Sequence, residues 1–107
     1  MVEIVYNHND MKVTIKGHAE SGEYGHDLVC AAVSALALTL AENVHAHSQN
    51  FEGVKALIKL DEGDTQIVCT ECSKVLRAYV DIVFTTICTG FEKLAETYPE
   101  NVKYTLM

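Results

Sequence analysis

With 107 residues, 49% of them apolar and a single proline, the chain can bury one core but not a second beside it, which excludes a disordered protein and a two-domain enzyme. Fifteen acidic against eight basic residues give a formal charge of −7, with no lysine or arginine run to track a phosphate backbone, so direct nucleic-acid binding is disfavoured. An acidic surface suits a basic partner, although solubility alone also accounts for it.

Val2–Tyr6 alternates apolar and polar residues, a turn-rich stretch follows, and Met11–Lys16 alternates again, which predicts a β-hairpin. Gly17–His26, with three glycines, reads as a flexible loop. Asp27 suits the N-cap of a helix from Leu28 to about Ser48, apolar nearly all round until Glu42. Its longest nearly apolar run, Leu28 to Ala41, spans 14 residues and is too short to cross a bilayer, so no membrane association is expected.

Val54–Leu60 and Thr65–Cys69 predict a second hairpin, reversed at Asp61-Glu62-Gly63-Asp64. From Ser73 to Tyr98, Leu76, Val80, Val83, Ile87, Phe91, Leu94 and Tyr98 recur at helical spacing. Pro99 ends that helix and Val102–Leu106 predicts a last strand. The expectation is a single α+β domain over residues 1–107, of order ββαββαβ, with two helices packed on a mixed sheet.

The opening MVEIVYN lacks a basic segment followed by an apolar stretch, so a cytoplasmic protein with reduced thiols is expected. Of the four cysteines, Cys69 and Cys72 form a lone CxxC, which suits a redox pair or half of a zinc site. His45 and His47 are two apart on a helix and point to different faces, so no metal site and no cofactor are expected. Cys88 fits core packing or a partner contact.

The densest reactive cluster is Gly17 to Ser34, where His18 follows a strand and Cys30 opens a helix twelve residues later. If the helix packs on the strand it has left, imidazole and sulfur become neighbours, and the helix start favours a thiolate. The amides of Val29 and Cys30 are then candidate oxyanion donors. Asp27 either faces the sulfur or orients an imidazole; sequence does not choose. On spacing alone, a small buried cysteine and a strand-end histidine explain the pair better than a dyad does.

The whole string alters that balance. Gly17-His18-Ala19, then Gly25-His26-Asp27-Leu28-Val29-Cys30-Ala31, then Ser34, resembles the signature of the ribosomal-processing cysteine protease family, Prp. The resemblance implies a catalytic dyad of His18 and Cys30, supported by Gly17, Asp27 and Ser34. It also implies a substrate loop formed by Ala19, Glu20, Ser21, Gly22, Glu23, Tyr24, Gly25 and His26, and a homodimer. The implied substrate is the N-terminal extension of a large-subunit ribosomal protein, number twenty-seven of that set, cut after an aromatic residue. Many members carry glycine where this chain has Ala32, whose methyl is expected to narrow the space beside the nucleophile. The competing readings are a non-catalytic ribosome-assembly or peptide-binding module, and a thiol redox protein using Cys69 and Cys72.

Overall fold

The computed structural model describes residues 1–17 and 24–107, with the backbone alone for residues 24–27. The elements are β1 (Val2–Asn7), β2 (Lys12–Lys16), α1 (Tyr24–Asn50), β3 (Val54–Asp61), β4 (Asp64–Cys72), α2 (Arg77–Thr97) and β5 (Val102–Leu106). The order ββαββαβ is the expected one. The five strands form one mixed sheet in the order β3-β4-β2-β1-β5. All neighbours run antiparallel except β1 and β5, which pair in parallel from Val2 opposite Val102 to Tyr6 opposite Leu106.

Strand alternation decides what the sheet buries. Val2, Ile4 and Tyr6 of β1, Val13 and Ile15 of β2, and Ile67 and Cys69 of β4 point into the core, while Glu3, Lys16 and Lys59 stay outside. The turn joining β1 to β2 is held by Asn7, whose Oδ1 accepts from the Asp10 amide at 3.1 Å and whose Nδ2 donates to Asp10 Oδ2 at 3.0 Å. Asn and Asp are favoured in turns because their short side chains bond neighbouring backbone in this way.

On α1, Val29, Val33, Ala37, Leu40, Ala41 and Val44 form the buried stripe, following steps of three and four. Leu28 and Leu38 lie on the opposite side and are about half exposed. The stretch Leu28–Asn50 is long and apolar enough to cross a membrane by length and composition alone, a test that the core helix of a globular fold also passes. Here its buried stripe packs against β3, β4 and α2.

The second helix starts later than expected. Ser73 to Leu76 make a turn, closed by the Leu76 amide on Ser73 O at 3.1 Å, and the helix proper begins at Arg77. Leu76 caps it with no side-chain hydrogen bond, which is why no capping residue marks the boundary in sequence. Its buried residues are Val80, Phe84, Cys88 and Phe91, so Phe84 and Cys88 lie at the centre of the stripe and Val83 and Ile87 on its flank. Phe84 stacks on Tyr6 with ring centroids 5.6 Å apart and planes 7° from parallel. The Tyr6 hydroxyl donates to Asp81 Oδ1 at 3.2 Å, and His8 Nε2 lies 3.0 Å from the same oxygen. Gly90 permits the close crossing of the helices, since a Cβ there would press on the Leu36 side chain.

Burial also fixes the protonation of four core groups. It pushes the Cys69 and Cys88 thiols up to about 11 and the Tyr6 and Tyr104 hydroxyls well above the usual phenol value. These groups keep protons that the unfolded chain sheds above about pH 9, so the unfolded state binds fewer protons there and stability falls as pH rises. Thermal unfolding followed by circular dichroism is expected to show a melting temperature that declines from about pH 9 upward; a flat profile to pH 11 would contradict this assignment.

Candidate active site

Cys30 and Ser34 are one turn apart on α1 and share a face, with Val33 and Ala37 beside them. That face borders a cavity of about 340 Å³. Its other walls are Val2 at the start of β1, Ile15 and Gly17 at the end of β2, and the β3–β4 turn from Asp61 to Thr65. Cys30 is half-buried and packs on the core from the cavity side.

Gly17 fastens the corner. Its φ is +96°, and a Cβ would collide with the carbonyl oxygen of Met1. Its amide donates to Gly63 O at 3.1 Å, tying the end of β2 to the β3–β4 turn. Gly63, at φ +74°, supplies the reversal in that turn. Gly17→Ala is expected to lower stability by about 2 kcal/mol or more, from the left-handed backbone and the clash together. Chemical denaturation measures this, and an unchanged midpoint would contradict the role given to this glycine.

His18, Ala19, Glu20, Ser21, Gly22 and Glu23 lie outside the described residues. His18 is joined by one peptide bond to Gly17, a residue of the cavity wall.

Three sequence expectations need correction. The helix begins at Tyr24, so Asp27 is inside α1 and is not its N-cap, and Tyr24, Gly25 and His26 belong to its first turn instead of a loop. Cys30 therefore lies in the second turn. The amides of Val29 and Cys30 point at the carbonyls of Gly25 and His26 four residues back, which removes them as free oxyanion donors. Ala32 faces α2 and, with Leu36 and Gly90, borders a groove between the two helices. Its methyl does not narrow the cleft at Cys30.

The acidic wall was not foreseen. Asp61, Glu62 and Asp64 border the cavity, and sequence marked them only as a turn. Lys59 Nζ donates to Asp64 Oδ2 at 2.7 Å and holds the carboxyl below its usual range. Asp64 Oδ1 is buried with no hydrogen-bond partner among the described residues. The pairing of β2 with β4, from Lys12 opposite Val68 to Lys16 opposite Asp64, brings this turn to the cavity. Nothing local in the sequence announces that pairing.

The other thiols differ in setting. Cys69 and Cys88 are buried, and Cys72 lies at the far end of β4. A larger cavity of about 440 Å³, between α2 and β5, reaches Cys88, but that thiol is held protonated by burial. With thiols near 11, about one molecule in 10⁴ carries a thiolate at Cys69 or Cys88 at pH 7. Iodoacetamide at neutral pH is therefore expected to label Cys30 well before Cys69 and Cys88, with the latter two catching up as pH nears 11; equal rates at pH 7 would contradict it. No cluster of three or more His, Cys, Asp or Glu able to hold a metal occurs among the described residues.

A half-buried thiol on a helix, open to a cavity of about 340 Å³, suits nucleophilic thiol catalysis. The chain belongs to the cysteine protease Prp family, whose model matches residues 1–103. It is a cysteine protease. Among solved structures, its fold is similar to the essential ribosomal processing protease Prp from S. aureus with a covalently linked product peptide, at TM-score 0.74 and 22% identity, covering 100% of both chains. The same S. aureus protease with a substrate peptide gives TM-score 0.71 and 24% identity over 99% of this chain and 97% of that one. The protein SMU.848 from Streptococcus mutans is 29% identical, with TM-score 0.67, over 99% of this chain and 91% of that one. No curated protein sequence matches the chain.

Proposed function

We propose that this protease removes the N-terminal extension of large-subunit ribosomal protein number twenty-seven, with Cys30 as nucleophile and His18 as general base. The observation that carries the reading is the shared cavity of Cys30 and Gly17, because Gly17 is covalently bound to His18.

In this mechanism His18 takes the proton from Cys30 Sγ, and the thiolate adds to the scissile carbonyl. As the tetrahedral intermediate collapses, the C–N bond breaks and the His18 proton goes to the departing amine. The N-terminal piece is left as a thioester on Cys30. Water, deprotonated by His18, then releases the acid and restores the thiol. Ser34 lines the same cavity as the sulfur, which supports a role for it beside the nucleophile.

Three observations support the choice of substrate. The similar S. aureus protein is an essential ribosomal processing protease. The cavity wall carries Asp61, Glu62 and Asp64, and the whole chain has a charge of −7, both complementary to a basic protein. We further propose a cytoplasmic homodimer. Its four free thiols suit a reducing compartment. The exposed apolar side chains Leu28 and Leu38 of α1 and Tyr79 and Ile82 of α2 suit a helix-to-helix contact between copies.

Incubating the protein with the extended ribosomal protein and sequencing the new N-terminus tests the reading. Cleavage after an aromatic residue of the extension is expected. An untouched extension, with a generic peptide still cut, would overturn the substrate assignment.

A further inference from the structure

Cys69 and Cys72 are three residues apart on β4. In a regular strand that spacing places side chains on opposite faces. This strand is not regular. Ala56 pairs with Cys69 and Lys55 with Glu71, so Thr70 is the extra residue of a β-bulge. Cys72 then pairs with Val54, two residues from Ala56 on the partner strand, and returns to the face that Cys69 occupies. The bulge also shortens the separation. Two residues of the partner strand span about 6.7 Å, at the upper edge of the Cα separation of about 4.4–6.8 Å that a disulfide accepts.

The side chains use this proximity. The Cys69 thiol donates to Glu71 O at 3.2 Å, the neighbouring Cys72 helps to raise its pKa, and both thiols line a surface cavity with Asp10 and Arg77. Cys69 is buried and Cys72 half-buried, so a reagent in that cavity meets Cys72 first. The Arg77 guanidinium offers positive charge to a thiolate or to an anionic thiol reagent. Thr65, on the wall of the Cys30 cavity, lies four residues up the strand from Cys69, about 13 Å away.

We propose that Cys69 and Cys72 form a reversible disulfide by exchange with an anionic low-molecular-weight disulfide, at a site separate from the proteolytic cleft. The Cys72 thiolate, its proton lost to solvent, attacks one sulfur of the reagent and expels one thiolate. Cys69, losing its proton in turn, attacks the Cys72 sulfur of the mixed disulfide and expels the second. The protein loses two electrons and two protons, and the reagent becomes two thiols. A bond that borders a surface cavity is open to reducing thiols, which suits a switch and not a staple. Burial of the Cys69 thiol makes it the slower, resolving partner.

Oxidised glutathione added to the full chain is the test, with peptide mapping after acid quench. Whatever adduct forms at Cys30, the peptide holding both Cys69 and Cys72 is expected to have lost two hydrogens, to carry a link between them, and to regain two labelled thiols when reduced. Cys69→Ser should stop at a stable glutathione adduct on Cys72, and Cys72→Ser should leave Cys69 unmodified. A stable glutathione adduct on Cys72 in the unmutated chain would overturn the proposal, as would no reaction at either residue.

Discussion

Cys30→Ala is expected to lower peptide cleavage by about 10⁴-fold or more, because it removes the atom proposed to form the bond to the substrate. The fold should persist. Cys30 is half-buried at a cavity wall, and truncation to alanine keeps the helix-favouring backbone while removing one sulfur that already borders open space. The melting temperature is therefore expected to stay within a few degrees of the parent, a cost of about 1 kcal/mol or less. The two readouts together separate a lost nucleophile from a lost fold. Cleavage by Cys30→Ala at the parent rate would end the assignment of this residue.

Phe84→Ala carries the largest expected loss of stability. Phe84 is fully buried in α2, stacked on Tyr6 of β1 and surrounded by the core of both layers. Removing the ring takes away its burial and leaves a cavity that the stacked Tyr6, held by Asp81, cannot move to fill. A loss of about 3–5 kcal/mol is expected, a large share of the about 5–15 kcal/mol that holds such a domain together. At about 4–8 °C per kcal/mol, the melting temperature should fall by at least about 12 °C. Phe51→Ala is the control, since that ring is 39% exposed and packs on His47 and Tyr79 at the surface. Equal shifts for the two variants would show that Phe84 is not the centre of the core.

The parts of the fold set by local pattern were readable in the sequence, and those set by long-range contact were not. Alternation gave β1, β2 and β3, and Pro99 together with Val102–Leu106 gave the end of α2 and all of β5. The start of α1 was missed because Asp27 is a good N-cap in isolation, whereas the helix continues back through Gly25 to Tyr24. The start of α2 was missed because its first turn is a backbone turn at Ser73–Leu76 with no capping side chain to mark it. Phe84 escaped the apolar series because steps of three and four from Val80 lead equally well to Val83 or Phe84, and only the position of the sheet settles which one is central.

The site divides in the same way. Gly17, Cys30 and Ser34 were named from sequence and share one cavity. The acidic wall of Asp61, Glu62 and Asp64 reaches that cavity through the pairing of β2 with β4, which joins segments about fifty residues apart. The bulge at Thr70 was equally hidden, since a CxxC on a strand reads as two opposed side chains until the register is known.

The most direct measurement of the central claim is the identity of the acylated residue. The extended ribosomal protein is mixed with the protease, the reaction is quenched in acid within its first turnovers, and the peptides are mapped by mass. The N-terminal piece of the substrate should be found in thioester linkage on Cys30. The same piece on Cys69, Cys72 or Cys88 would contradict the account.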